Sequence, residues 1–271
     1  METPKLKNIV LLILLITNLF LLGFVGRRGL QNAWLEQQAR EDAIRFLGKR
    51  TVAVTGEQIP RSIALKPQTV TRDLKQEREA AARLLDGTAQ MEDRGGGVYR
   101  WYNERGSIQF HSDGSFSGSF ADGAFPVGEN WEQDCLDLLA RLDFEGELLS
   151  WEEGQAVFRQ RWNGHPLFSR QVKLEFENGF LSAMTAGRRL VGQPKEDPSR
   201  KTVSVASALI RFSNGMDGLS AVCSRVDSVT EGYVSGTALS GLTTLTPVWH
   251  IATDTGTYQL DLVTGVLSRV S

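Results

Sequence analysis

Residues 9–25, IVLLILLITNLFLLGFV, form a run of seventeen residues that only Thr17, Asn18 and Gly23 interrupt. As a helix rising about 1.5 Å per residue, the run spans roughly 26 Å, near the lower limit for a bilayer core, and Leu6 and Gly26 extend it. A cleaved signal peptide needs small residues at the third and first positions before the cut, and the sequence FVGRR at 24–28 supplies no Ala-x-Ala. The run therefore reads as an uncleaved membrane anchor over residues 1–28. Lys5 and Lys7 before it and Arg27 and Arg28 after it nearly balance the positive-inside count. A short leading tail and a long following one give the expected orientation: a single pass in the cell membrane, the N-terminus cytoplasmic and the body extracytoplasmic. Within the span an amide has no water to bond, so Asn18, with Thr17 beside it, is the candidate contact to a partner's helix.

The body carries 26 basic and 31 acidic residues beyond Arg28, a net charge of −5, so no basic surface for nucleic acid is expected. Its two cysteines, Cys135 and Cys223, are too few for a disulfide scaffold, and Cys135 falls on the apolar face of an expected helix as a small buried hydrophobe. Whether the two pair is left open.

Outward from the anchor, residues 29–66 read as a juxtamembrane helix and a strand. Leu30, Trp34, Ile44 and Leu47 are spaced among charges, Gly48 is a stop, residues 51–55 form a strand and Ile59-Pro60 a turn. Trp34 is a second candidate contact. Residues 67–192 read as helix-plus-sheet units. A first helix over 73–86 precedes strands at 98–103, 107–111 and 115–120. A second over 130–142, capped by Asn130, precedes strands at 156–162, 171–176 and 180–186, with Asn163-Gly164 and Asn178-Gly179 as type I′ turns. Residues 192–201, with two prolines and five charges, read as a solvated linker. The last unit, within 193–271, has a helix from Val205 that Asn214-Gly215 ends, then strands near 221–229, 232–239, 247–254 and 257–262. The fold class expected is α+β: one transmembrane helix followed by repeated helix-plus-antiparallel-meander modules.

The span 204–267 resembles a PepSY-type module, whose closing hairpin carries the pattern seen in Tyr258, Asp261, Thr264, Gly265 and Val266. Gln160-Arg161-Trp162-Asn163-Gly164-His165-Pro166-Leu167-Phe168 looks like the Gln-x-aromatic-x-Gly-x-Pro-x-Phe hairpin of the YycH/YycI family, accessory membrane proteins of an essential cell-wall-sensing histidine kinase. The resemblance follows the order of elements from anchor to C-terminus, and residues 63–125 carry no matching motif. It implies a regulator of a two-component system that acts by protein–protein contacts on a sensor histidine kinase, with a sister accessory protein as a further partner.

Catalytic patterns are weak. His111, His165 and His250 lie far apart, with no acid or thiol at metal-ligand spacing. No nucleophile elbow, phosphate loop or dinucleotide fingerprint occurs, and Gly95-Gly96-Gly97 precedes a strand rather than a helix. The expectation is a protein that is not an enzyme, with no cofactor or metal. The rival reading is a PepSY-like binding or protease-inhibitory module for which the helix is only a tether.

Overall fold

In the computed structural model the backbone is described for residues 3–236 and 242–270, and the side chains of residues 3–13, 16, 22–30 and 32 lie outside the description. The helices are α1 (Thr3–Lys49), α2 (Leu74–Leu84), α3 (Trp131–Ala140) and α4 (Val205–Gly218). The strands are β1 (Gln68–Thr71), β2 (Gln90–Asp93), β3 (Tyr99–Asn103), β4 (Gly106–Phe110), β5 (Ser115–Phe120), β6 (Glu145–Glu152) and β7 (Gln155–Trp162). They continue as β8 (His165–Glu177), β9 (Phe180–Arg188), β10 (Gln193–Glu196), β11 (Val226–Ser235), β12 (Leu242–Thr253), β13 (Gly256–Asp261) and β14 (Leu267–Arg269).

All of these strands join one mixed sheet of 14 strands, ordered β10-β1-β12-β11-β8-β9-β5-β4-β3-β2, with β6 and β7 attached through β8 and β13 and β14 through β12. Two long strands make the branching possible. One edge of β8 is taken by β7, while the other pairs with β11 at Leu167↔Tyr233 and then with β9 from Lys173 onward. In the same way β12 gives one edge to β11 and the other first to β1, then to β13. The β8–β11 pairing is parallel and the others antiparallel.

Three apolar clusters fill the fold. The largest lies under α2 and α3 and includes Leu84, Phe110, Leu139, Phe144 and Phe158. A second packs the end of α1 and all of α4 on the C-terminal strands, through Ala43, Leu47, Phe212, Trp249 and Tyr258. A small third cluster, Leu65, Val70, Leu167, Leu190, Tyr233 and Leu245, lies where the strands of the two larger ones meet.

The expected fold class does not describe this molecule. The strands of the supposed separate meanders are stitched into a single sheet by the β5–β9, β8–β11 and β1–β12 pairings. Those pairings join residues far apart in sequence, so no local alternation of apolar and polar side chains announces them. Nor is the expected membrane anchor supported, and with it falls the single-pass placement in the cell membrane: among the described residues no helix is long and apolar enough to cross a membrane. The physical reason is visible in the run itself, which is shorter than the roughly 20 apolar residues a span requires. The helix that contains it runs on without a break into charged turns as far as Lys49.

Smaller differences have local causes. Residues 192–201 contribute β10, which pairs with β1 through Thr69↔Lys195 and Val70↔Pro194 rather than hanging free. Residues 51–55 make a single parallel bridge, Ala53↔Arg225, not a strand. Asn214-Gly215 does not end α4, which continues to Gly218, and β11 runs through Gly232 without a turn. Gly232 is needed there for space: a Cβ at that position would meet the Pro166 carbonyl oxygen at 2.5 Å and the Phe168 ring at 2.5 Å. Its absence lets β11 lie against β8 and form the junction.

The turn at Asn163-Gly164 has φ values of +49° and +79°, the pair a type I′ turn requires, with open space around the position of a Gly164 Cβ. Gly164→Val therefore pays backbone strain alone, about 1–3 kcal/mol. Gly232→Ala pays steric overlap against backbone instead, about 1–3 kcal/mol, and it loosens the junction. Thermal and denaturant unfolding of the two variants measures both; an unchanged midpoint for Gly232→Ala means that β8 and β11 are not held at this spacing.

Candidate contact surface and inter-sheet junction

The sequence singles out Thr17, Asn18 and Trp34, and all three stand on α1. Thr17 and Asn18 are exposed, and Trp34 is 63% exposed. Sixteen residues separate Asn18 from Trp34, about 24 Å of helix, so the fold does not bring them to one point. It sets them along one rod, with Leu14, Leu15, Leu19, Phe20, Leu21 and Leu35 also exposed.

The last third of the same helix belongs to the body. Ala43 and Leu47, one turn apart, are buried in the α4 cluster. Arg40 holds the turn that follows: its Nε donates to the Pro60 carbonyl at 3.1 Å, and its Nη2 to Ile59 at 2.7 Å and to Gly56. Arg50 donates to Ser213 Oγ at 2.8 Å and to Asp217 at 2.7 Å, fixing the end of α1 to α4. Between rod and body lies a groove of about 440 Å³, walled by Leu35 and Ala39 of α1, Ile63, and Val203 and Val205 at the start of α4. Sequence reasoning missed this groove because its walls come from three distant segments.

The motifs behind the family resemblance have structural work. Gln160 is 1% exposed. Its Oε1 accepts from Leu190 N at 2.7 Å and its Nε2 donates to Leu190 O at 3.0 Å, so one side chain satisfies both backbone groups of a buried residue. Trp162 Nε1 donates to Gln68 Oε1 at 3.3 Å, and Leu167 lies in the junction cluster. The Phe168 ring stacks on His250 of β12, with centroids 3.4 Å apart and planes within 5°, and the Arg159 guanidinium lies over the ring at 5.1 Å from its centroid. In the closing hairpin Asp261 Oδ1 accepts from Val263 N at 2.7 Å and Thr264 N at 2.8 Å, and Gly265 takes φ +74°. That aspartate is turn chemistry.

The titratable groups follow from burial. His250 is held below its ordinary pKa, first by burial, against a bond between its Nε2 and Gln259 Oε1 at 3.0 Å; the Arg159 charge lowers it further. Burial pushes the Cys135 thiol up to about 12. It raises Cys223 as well, and both cysteines are free. Arg189, buried with its guanidinium 3.8 Å from the Phe110 ring centroid, is lowered by burial to about 10 while its Nη1 donates to Leu142 O at 2.6 Å. Among the described residues no three of His, Cys, Asp and Glu come together to hold a metal ion. Ser115 Oγ donates to the Asp113 carboxylate at 2.6 Å, and the His111 ring bonds Gln109, so no serine–histidine pair is formed here among the described residues.

No protein-family model matches the chain. No curated protein matches it either. In structure it is similar to an uncharacterized protein from Eubacterium rectale ATCC 33656, 12% identical, with a TM-score of 0.41; the match covers 76% of this chain and 86% of that one.

Two measurements test the junction. A histidine whose folded pKa lies below its unfolded value binds fewer protons when folded, so its contribution is complete above about pH 6.5 and is lost as pH falls through the folded pKa. Unfolding free energy should drop between neutral pH and about pH 5, and His250→Phe, which keeps a ring against Phe168, should flatten that drop. Gln160→Leu, which strands the Leu190 amide and carbonyl, should cost about 2–5 kcal/mol by chemical denaturation, a loss of two buried hydrogen-bonded groups.

Proposed function

We propose that this protein is a non-catalytic accessory regulator that acts by protein–protein contact, with the projecting part of α1 as its principal contact element. One observation carries the reading: Leu14, Leu15, Leu19, Phe20 and Leu21 stay exposed on a helix whose far end is locked to the body. A contiguous apolar surface of that kind is stabilised when another apolar surface covers it. A helix presenting leucines over several turns suits a partner helix, in the mode where anchors one turn apart enter a facing groove. Asn18, within the same stretch, offers an amide whose bond to a partner fixes register and orientation more than affinity, as a single polar residue does in a helical seam.

The partner we propose is a sensor histidine kinase, with a sister accessory protein completing the helical assembly. The support is the Gln160–Phe168 hairpin and the ending at Tyr258, Asp261, Thr264 and Gly265, together with a rod suited to helix pairing. Trp34 stands next to Leu35, which walls the groove where a partner segment continuing along α1 would meet the start of α4.

The test is co-purification after crosslinking in cells, read together with kinase output. Asn18→Leu should leave abundance unchanged and weaken recovery of the kinase about threefold to tenfold, the effect of one interhelical hydrogen bond of roughly 0.6–1.5 kcal/mol. Trp34→Ala should lower recovery independently. If both variants and the replacement of residues 9–25 by an unrelated apolar helix preserve recovery and output, the rod is not the contact and the body alone is the binding module.

A further inference from the structure

A cleft of about 530 Å³ opens beside the junction, where β8 and β9 part company. The two strands pair from Lys173↔Thr185 onward but not before it, and β8 residues 168–171 diverge from β9 residues 186–188. Ala186 holds φ +48° at this point, a conformation that costs a non-glycine residue energy and that recurs where a backbone is shaped for a ligand. The size is within the range of small-molecule sites.

Its walls supply donors and no acid. Arg188 is exposed and makes no ion pair or side-chain hydrogen bond among the described residues, and the hydroxyl of Ser117 and the amide of Gln171 are likewise uncommitted. The tautomer of His111 is fixed by a chain of bonds. Arg94 is a donor only and gives Nη1–H to Gln109 Oε1 at 3.2 Å, which turns the amide nitrogen of Gln109 to His111 Nε2 at 2.9 Å. The ring proton then resides on Nδ1, a donor.

A second relay begins at Arg170, which is 5% exposed. Its Nε donates to Ser235 Oγ at 2.8 Å, and Ser235 Oγ lies 2.8 Å from Ser169 Oγ, which also accepts from Ser235 N at 2.9 Å. With Ser235 donating along this chain, the Ser169 hydroxyl keeps its own proton for the cleft. The Asp113 carboxylate is outside the walls; its Oδ1 accepts from the hydroxyl and amide of Ser115, and those bonds, helped by the charges of His111 and Arg188, hold its pKa below the usual value.

From this geometry we infer that the cleft is a binding site for a small oxyanion, a carboxylate or phosphoryl group, with Arg188 as its charge partner and Ser117, Ser169, Gln171 and His111 as neutral donors. Two guanidiniums, the exposed one of Arg188 and the buried one of Arg170, stand against the single carboxylate of Asp113 here, and that balance together with the neutral donors selects for negative charge. Phe168 is already engaged, stacked on His250 with the Arg159 guanidinium also over its ring. Recognition therefore rests on the anionic head and not on an aromatic body. The inference does not depend on the contact role of α1, and its failure leaves that role untouched.

The test uses the full chain with inorganic phosphate and acetate as separate probes, followed by calorimetry and by amide chemical shifts of residues 111–117, 168–171 and 186–188. At least one probe should bind saturably at one site and shift these amides together; which of the two binds tells phosphoryl from carboxylate. Arg188→Gln, at an exposed position that leaves the fold intact by circular dichroism, should weaken binding about tenfold or more, the effect of losing one charge-assisted hydrogen bond. Ser117→Ala should weaken it by less, and Arg211→Gln, on α4 away from the cleft, should not alter it. Absence of saturable binding by both probes, or equal affinity of Arg188→Gln and the parent chain, overturns the proposal.

Discussion

The parallel contact between β8 and β11, Leu167 against Tyr233, is the constraint on which the rest of the molecule depends. Without it the N-terminal strands with their α2 and α3 core and the C-terminal strands with their α1 and α4 core are two separate apolar bodies. The contact places Leu167 and Tyr233 beside Val70, Leu190 and Leu245, a third cluster that neither side completes alone. Tyr233 is held from two more directions: its hydroxyl donates to the Lys66 carbonyl at 3.2 Å and accepts from Gln68 Nε2 at 3.3 Å. Because burial also raises its pKa, the hydroxyl stays protonated and able to donate. The chain crosses this junction repeatedly, at β1, at β10 and at the bend of β8, so the two cores are coupled through covalent connections as well as packing.

That arrangement explains which features the sequence discloses. Turn chemistry is local and was legible: Asn163-Gly164 and Asn178-Gly179 take positive φ at both positions, and the first helix starts where Asp73 accepts from Lys75 N and Gln76 N. Asn130 shows the limit of the same logic, because it stands at the start of α3 and yet its side chain makes no capping bond. Pairing across the sheet was not legible. β10 is exposed at all four residues and carries Pro194, so its composition is that of a linker and only β1 makes it a strand. β2, exposed at all four of its residues, escapes for the same reason. In β12, expected from the sequence only over 247–254, burial of five residues in succession from Leu245 to Trp249 hides the alternation at the start of the strand.

The apolar run at 9–25 shows how a strong one-dimensional signal misleads when read apart from its element. Seventeen residues, fourteen of them Leu, Ile, Val or Phe, suggested a self-contained unit. In the structure they are one part of a 47-residue helix whose other end carries Arg40, Ala43 and Leu47, with Arg50 just beyond it, residues bound to the body by hydrogen bonds and packing. Of the candidate contacts, Thr17, Asn18 and Trp34 were legible as polar or aromatic exceptions in an unusual context. The groove by Leu35 and the donor-lined cleft were not, since neither is assembled from neighbours in sequence.

Gln160 and Phe168 clarify why a recognisable motif need not mark a binding surface. The Gln160 amide is taken up by the Leu190 backbone and the Asp143 carbonyl, and the Phe168 ring is packed by His250 and Arg159. Such residues hold the hairpin at the junction, and their full engagement leaves recognition to neighbours whose bonding capacity is unspent. Arg188 ends β9 and Ser117 lies within β5, yet neither carries a motif of its own. The hairpin fixes one wall of the cleft through Phe168, Ser169 and Gln171, and the divergence of β8 from β9 sets its width. The donors can then be prealigned toward an anion without reorganising on binding, the condition under which a few charge-assisted hydrogen bonds give useful affinity.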